Sequence, residues 1–299
     1  MKKDTFLGLE SKPCGRCGFA FVGINFYSTE YLKGVEKAAS KVRALSDRYA
    51  NADGSSLPLK VYSPEEGYIL KDTCVYDFGD IEASSLDELE SKILGADFGE
   101  NYIPIFVGSD HSITYKLVKR MIKEKDRIVV VQFDAHSDFI DEYENYPHGS
   151  VMNEVSKLDR VEKIIHFGIR GNLNSGPAIE SSREKGNIVI PYVSIKSRLI
   201  GLLEYLKNKK IYITFDIDFL NPTYAPATNC PEPGGPSYEE TLKLLKMIIN
   251  ASRKVVGMDF VEFNPECEGA NLTGTTIVNL IMESLSYMTQ YTYLTKIGR

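Results

Sequence analysis

Cysteine is sparse in this chain. The five residues, Cys14, Cys17, Cys74, Cys230 and Cys267, are odd in number and scattered through 299 positions, too few for a disulfide framework at this length. The expectation is reduced thiols in a cytoplasmic protein. Cys14 and Cys17 form one Cys-x-x-Cys with no second pair and read as an ordinary N-terminal loop, not a zinc or redox module. A basic excess is also missing. The formal net charge is -6, which argues against nucleic acid as a partner, because nucleic-acid binders usually carry a basic face or stripe. No run approaches the ~18 apolar residues of a membrane span, and Met1-Lys2-Lys3-Asp4-Thr5 leads into no signal-like apolar stretch. Neither repeat, low-complexity tract nor composition break interrupts the chain. One α/β domain over residues 1–299 is therefore expected, and 43% hydrophobic residues suffice for a large core.

Short apolar runs rich in β-branched residues recur: Phe19 to Ile24, Cys74 to Phe78, Tyr102 to Val107, Ile128 to Phe133, Lys163 to Gly168, Ile188 to Tyr192, Ile211 to Phe215 and Val255 to Val261. These read as strands. Helical spacing appears over Tyr31 to Leu45, Leu86 to Leu94, Ile113 to Lys123, Arg198 to Leu206, Tyr238 to Ile249 and Ile277 to about Met288. Such alternation predicts a three-layer α/β/α fold around a mostly parallel sheet of about eight strands. Tyr49 to Gly67 and the proline-rich Phe219 to Ser237 read as irregular.

Polar chemistry gathers where strands end. Asp134-Ala135-His136-Ser137-Asp138 caps one apolar run and Asp216-Ile217-Asp218 caps another, with no arginine or lysine inside either cluster. Four carboxylates brought together repel one another unless cations neutralise them, so divalent metal is the natural partner and a two-metal hydrolase the leading reading. Gly108-Ser109-Asp110-His111-Ser112 follows the Tyr102 strand, with Ser112 as the expected helix cap, and Glu262 ends the Val255 strand. Ligands of parallel sheets bind beyond the carboxyl ends of the strands, and all four groups sit there. Asp77, Asp80 and Asp110 read as supporting or structural residues, and His166, inside an apolar strand, as packed.

These segments resemble the ureohydrolase family, the arginases and agmatinases. Gly108 to Ser112 is similar to the family's Gly-Gly-Asp-His-Ser, Asp134 to Asp138 to its Asp-Ala-His-Thr-Asp, and Asp216 to Gly235 to its long signature. Asp77 to Asp80, Gly168 to Gly171 and Asp259 to Pro265 add support in the family's order. The resemblance implies two Mn²⁺ per subunit, with His111, Asp134, Asp138 and Asp216 around one and His136, Asp134, Asp216 and Asp218 around the other. By the same resemblance His148 shuttles protons, Glu262 receives the guanidinium, and the chain assembles as a homo-trimer or homo-hexamer. Zn²⁺, Co²⁺ or Ni²⁺ would also suit the mostly oxygen donor set. Ser109 in place of glycine, Asn221 in place of aspartate and Ala227-Thr228-Asn229-Cys230 in place of Gly-Thr-Gly-Thr depart from the pattern. None removes a ligand.

The chemistry fits these residues. A guanidinium stays protonated at neutral pH, so its hydrolysis needs a nucleophile stronger than water, and a pair of divalent ions supplies one by lowering a water's pKa toward ~7. Asp138 is placed to orient it. The departing amine needs a proton, which a histidine with an ordinary pKa near ~6.5 can give, and His148 is the candidate. A net-negative site selects a small cationic guanidino substrate. The acidic loop Phe139 to Tyr146, with Asp141, Glu142 and Glu144, is expected to repel a carboxylate and favour agmatine over arginine. The spacing from His136 to His148 likewise resembles the shorter agmatinase loop. Arginase or guanidino-acid hydrolysis is the near alternative. A non-catalytic guanidine-binding homologue and a one-zinc deacetylase of the same architecture are the others.

Overall fold

The computed structural model describes residues 4–13, 15, 17–50, 59–63, 67–122, 127–142 and 144–291. Eight strands, β1 (Gly18–Asn25), β4 (Val75–Glu82), β5 (Tyr102–Val107), β6 (Ile128–Phe133), β7 (Val161–Ile169), β8 (Ile188–Pro191), β9 (Lys210–Asp216) and β10 (Lys254–Val261), form one sheet in the order β4-β1-β5-β10-β9-β6-β7-β8. Every pairing in it is parallel. A separate antiparallel hairpin pairs β2 (Leu59–Ser63) with β3 (Gly67–Thr73). β2 lies inside the stretch expected to be irregular.

Alternation along each strand sorts side chains onto the two faces. Val129, Val131 and Phe133 of β6 belong to one buried cluster with residues of α1 (Ala38–Ser46), α6 (Ile195–Leu206), α7 (Tyr238–Ala251) and α8 (Ala270–Tyr291). Ile128 and Val130 belong to a second cluster with residues of α2 (Leu86–Gly95), α3 (Thr114–Met121), α4 (Val151–Ser156) and α5 (Gly176–Glu184). Both faces are covered, as a parallel sheet requires, and the three layers predicted from the sequence are present. None of the helices among the described residues is long and apolar enough to cross a membrane.

Two expectations change. The helix expected from Tyr31 becomes two 3₁₀ turns, Glu30–Leu32 and Val35–Lys37, followed by α1. Gly34 separates the turns at φ 115°, and a Cβ there would sit 2.2 Å from Asn264 Oδ1, so the chain bends where only glycine fits. Nor are all thiols reduced. Cys17, Cys230 and Cys267 are free, whereas Cys74 is disulfide-bonded where the N-terminal segment packs so closely that a Cβ on Gly15 would lie 3.5 Å from its Sγ. The expectation for Cys14 lies outside the described residues.

Order within the sheet positions the site. β5, β10, β9 and β6 are consecutive neighbours. α3 follows β5 on one face and α7 follows β9 on the other, which opens a crevice at the carboxyl ends of these strands.

Candidate functional site

Each of the four neighbouring strands delivers polar groups to that crevice. β5 ends at Val107 and continues through Gly108 into a 3₁₀ turn, His111–Ile113. Asp110, not Ser112, caps this turn: its Oδ1 accepts from Ser112 N at 3.0 Å while its Oδ2 accepts from Ser28 N at 2.6 Å. An aspartate free of helical backbone can reach the turn's amides, which a serine inside it cannot. β6 hands over to Asp134, β9 ends on Asp216, and β10 hands over to Glu262. Ser109, Asp138 and Glu262 adopt left-handed backbone, φ 71°, 47° and 63°, three of five such non-glycine residues among those described. Strained backbone concentrated on one rim is characteristic of sites where side-chain aim takes precedence over local preference.

The chain has four histidines, and three reach this cleft. His111 is fully buried. Its Nδ1 lies 2.8 Å from Asp138 Oδ2, 3.2 Å from Asp134 Oδ2 and 3.6 Å from Asp216 Oδ2. His136 Nδ1 lies 2.8 Å from Asp218 Oδ2 and 3.7 Å from Asp134 Oδ1, with its Nε2 3.6 Å from Glu232 Oε1. Two compact donor groups result, His111 with Asp134 and Asp216, and His136 with Asp134 and Asp218, sharing Asp134. Asp138 joins the first through its contact with His111, so all six residues expected as ligands converge. His148 and Glu262 line the same cleft, of about 170 Å³, with Leu32, Ile140, Leu173 and Cys230 among its walls.

Electrostatics show what the arrangement lacks. Burial, then the charges of Asp218 and Asp138, raises the Asp134 carboxyl to about 7. Asp216 is also pushed well up, by burial and then by Asp218 and Asp134. Burial opposes charge on His136, yet the Asp218, Asp134 and Asp138 carboxylates outweigh it and lift the imidazole to about 10. For His111 the opposing burial is overcome by Asp134 and Asp138, and for Asp218 by the His136 contact, which holds it down. The cluster therefore retains protons as substitutes for positive charge. Meanwhile His111 Nδ1 and His136 Nε2 are buried without a hydrogen-bond partner. Shared carboxylates, ring nitrogens that face carboxylates without forming a hydrogen bond, and a deficit of positive charge fit a pair of divalent cations.

Residues in the supporting shell explain how the donors are held. Gln132 Nε2 donates to Asp134 Oδ2 at 2.7 Å, and its Oε1 lies 2.5 Å from His166 Nδ1, whose Nε2 is 2.8 Å from Ser182 Oγ. His166 is thus buried and bonded behind the cleft, as expected of a packed residue. Asp218 Oδ1 accepts from Ala135 N, and Asp216 Oδ1 accepts from Asp218 N. Arg170 gathers the carbonyls of Asp218, Phe219, Leu220, Glu232 and Pro233, fastening the ligand turn to the proline-rich loop. Gly235 must be glycine beside it, since a Cβ there would lie 2.7 Å from Arg170 NH2. Asp77 and Asp80 lie elsewhere, paired with Arg43 of α1.

Sequence reasoning missed Gln132, Thr214, Glu232 and Tyr31. A signal existed for the first two: a lone glutamine or threonine inside a fully buried strand must find a partner. Tyr31 gave none. The acidic loop also departs from expectation, since of the described residues in 139–146 only Ile140 lines the cleft. Phe139 is buried in the core, and Asp141 Oδ1 accepts from Asn153 Nδ2. A chain that must bury Phe139 turns its neighbours outward. The other departures leave the donor set intact: Asn221 Oδ1 accepts from Thr223 N and Oγ1 much as an aspartate could, and Ala227 is tied to Thr273 and Asn264 by its own backbone.

Comparison with known proteins agrees. An agmatinase of Bacillus cereus is 30% identical over 241 residues, 77% of this chain and 81% of the relative. The human mitochondrial guanidino acid hydrolase is 28% identical over 258 residues, covering 79% and 71%. The crystal structure of Trypanosoma cruzi formiminoglutamase with Mn²⁺ superposes at a TM-score of 0.76, with 18% identity over 96% of this chain and 99% of that one. The model of the arginase family matches residues 17–286, and the chain belongs to that family of hydrolases.

Proposed function

We propose that this protein hydrolyses a small guanidino amine, agmatine first, to urea and a diamine. The observation that carries the reading is the charge of the cleft. His136, Asp138, Asp216, Asp218, His148 and Glu262 line it, and among the described residues no lysine or arginine does. A substrate bearing a carboxylate would meet like charge with no cation to receive it, whereas a guanidinium on an aliphatic tail meets acid at depth and the apolar walls of Leu32, Ile140 and Leu173 outside.

Two Mn²⁺ ions would be held by His111, Asp134, Asp138 and Asp216 and by His136, Asp134, Asp216 and Asp218. When bound they supply Lewis-acid activation of water at neutral pH. Other divalent ions suit the same donors. The chain's own groups do the rest. Glu262 is anchored by His111 N, which donates to its Oε1 at 2.7 Å, and its remaining acceptor capacity serves the guanidinium. Asp138 orients the attacking oxygen. His148 gives the proton that the departing amine needs. The reading carries a cytoplasmic homo-trimer or homo-hexamer, with neither nucleic acid nor membrane as partner, supported by the net charge of -6 and the family resemblance.

A guanidino acid is the second reading, favoured by Ser175 in the cleft wall. Asn174 weighs against it. Its Nδ2 donates to the carbonyls of Ala135 and Arg170, and its Oδ1 accepts from Ser137 N, so its amide has little left for a carboxylate. Urea release from Mn²⁺-loaded protein with agmatine, arginine, 4-guanidinobutyrate and 3-guanidinopropionate tests the choice. Agmatine should give the highest kcat/KM, and a guanidino acid exceeding it would overturn the assignment.

A further inference from the structure

Tyr31 lies in the 3₁₀ turn Glu30–Leu32, far from His148 in the chain, yet its hydroxyl hydrogen-bonds His148 Nε2. The two rings meet edge-on, centroids 5.5 Å apart and planes at 71°. Leu32, next in the turn, lines the cleft with His148. Tyr31 is 58% exposed, so this contact bridges the solvent side of the cleft from the β1–α1 connection to the loop before α4. His148 Nδ1 is buried and has no partner. Among the described contacts, the phenol is therefore the one polar group that fixes the imidazole's rotation about its own axis. Burial, then the neighbouring Cys230 and Glu262, pushes the Tyr31 hydroxyl up to about 12, so it is a phenol throughout the working range.

We propose that Tyr31 is the positioning residue for His148: by donating to Nε2 it holds the ring across the cleft and keeps the neutral ring's proton on Nδ1. A hydroxyl both donates and accepts. Once the ring is protonated, Nε2–H donates back to the same oxygen and the contact survives. Positioned proton donors lose efficiency steeply with small misplacements, so a ring held in both charge states is a direct contribution to turnover. The inference rests on the proton-donor role proposed above for His148.

Tyr31→Phe keeps the ring contact and deletes the hydroxyl. With agmatine and Mn²⁺, kcat should fall about tenfold while KM changes less than about twofold. In ¹⁵N-histidine spectra the resting His148 signal should move from the Nδ1–H toward the Nε2–H tautomer. His148→Asn should lower turnover by about 10²-fold or more, and Tyr31→Phe added to it should cost nothing further. Wild-type kcat and an unchanged tautomer in Tyr31→Phe, with His148→Asn inactive, would overturn the positioning role alone. Full turnover in His148→Asn would instead remove the proton-donor role on which it rests.

Discussion

Thr214 decides which nitrogen of His111 carries the proton. Its Oγ1 lies 2.9 Å from His111 Nε2 and donates its single proton to Asp259 Oδ1 at 2.6 Å. Asp259 also receives Tyr212 OH and Thr114 Oγ1, at 2.7 and 3.1 Å, so three hydroxyls converge on it. With its proton committed, the threonine oxygen can only accept from Nε2–H. In the neutral ring that a cation requires, the lone pair of His111 then sits on Nδ1, among Asp134, Asp138 and Asp216. Thr214→Val preserves shape and removes this bond. Mn²⁺ affinity, measured by calorimetry, should weaken about 10- to 100-fold, the usual effect of losing a ligand's supporting partner.

Cation binding should strengthen with pH. In the cation-free protein Asp134 is raised to about 7 by burial and then by the charges of Asp218 and Asp138, and His136 is raised, against burial, to about 10 by Asp218, Asp134 and Asp138, charges that a metal would neutralise. Protons on these donors must leave before an ion enters, so affinity increases as pH rises and each released proton contributes about tenfold per pH unit. Mn²⁺ dissociation constants at pH 6.5, 7.5 and 8.5 should fall steadily. A flat series would show that the donors are already free of protons.

The His166 pKa moves the other way, because burial depresses it to about 3. Between about pH 3 and 6.5 the unfolded chain binds a proton that the folded chain refuses, so stability is lost as pH falls through this window, at about 1.4 kcal/mol per unit. His166→Gln removes the titrating group. Urea denaturation of the metal-free proteins at pH 7 and pH 5 should show a smaller acid loss in the variant than in the parent.

Ser109 stands at φ 71° where the family motif has glycine, and its hydroxyl is buried without a partner. A side chain in left-handed backbone and an unsatisfied buried hydroxyl both destabilise. Ser109→Gly should raise stability by about 1 kcal/mol, offset in part by greater freedom of the unfolded chain. A thermal melt showing the variant less stable would mean that Ser109 has a use not visible in its contacts.

The sheet was legible because its strands are buried on both faces. Ile128 to Phe133 and Ile211 to Phe215 read as mostly apolar runs ended by charge, so the end of β6 falls where the structure places it and that of β9 within one residue. Shorter pieces gave weaker signals. α4 is six residues long, α5 opens on Gly176 and Pro177, and β2 belongs to a hairpin outside the main sheet. At the site, Asp134, His136, Asp138, Asp216 and Asp218 were visible because they cluster along the chain. Tyr31 and Glu232 were not, since only folding brings them to His148 and His136.

Urea release from agmatine, followed as Mn²⁺ is titrated into metal-free protein, tests the account most directly. Activity should rise to a plateau at two ions per chain. Saturation of the protein with Mn²⁺ without urea from agmatine or any other guanidino compound would contradict it.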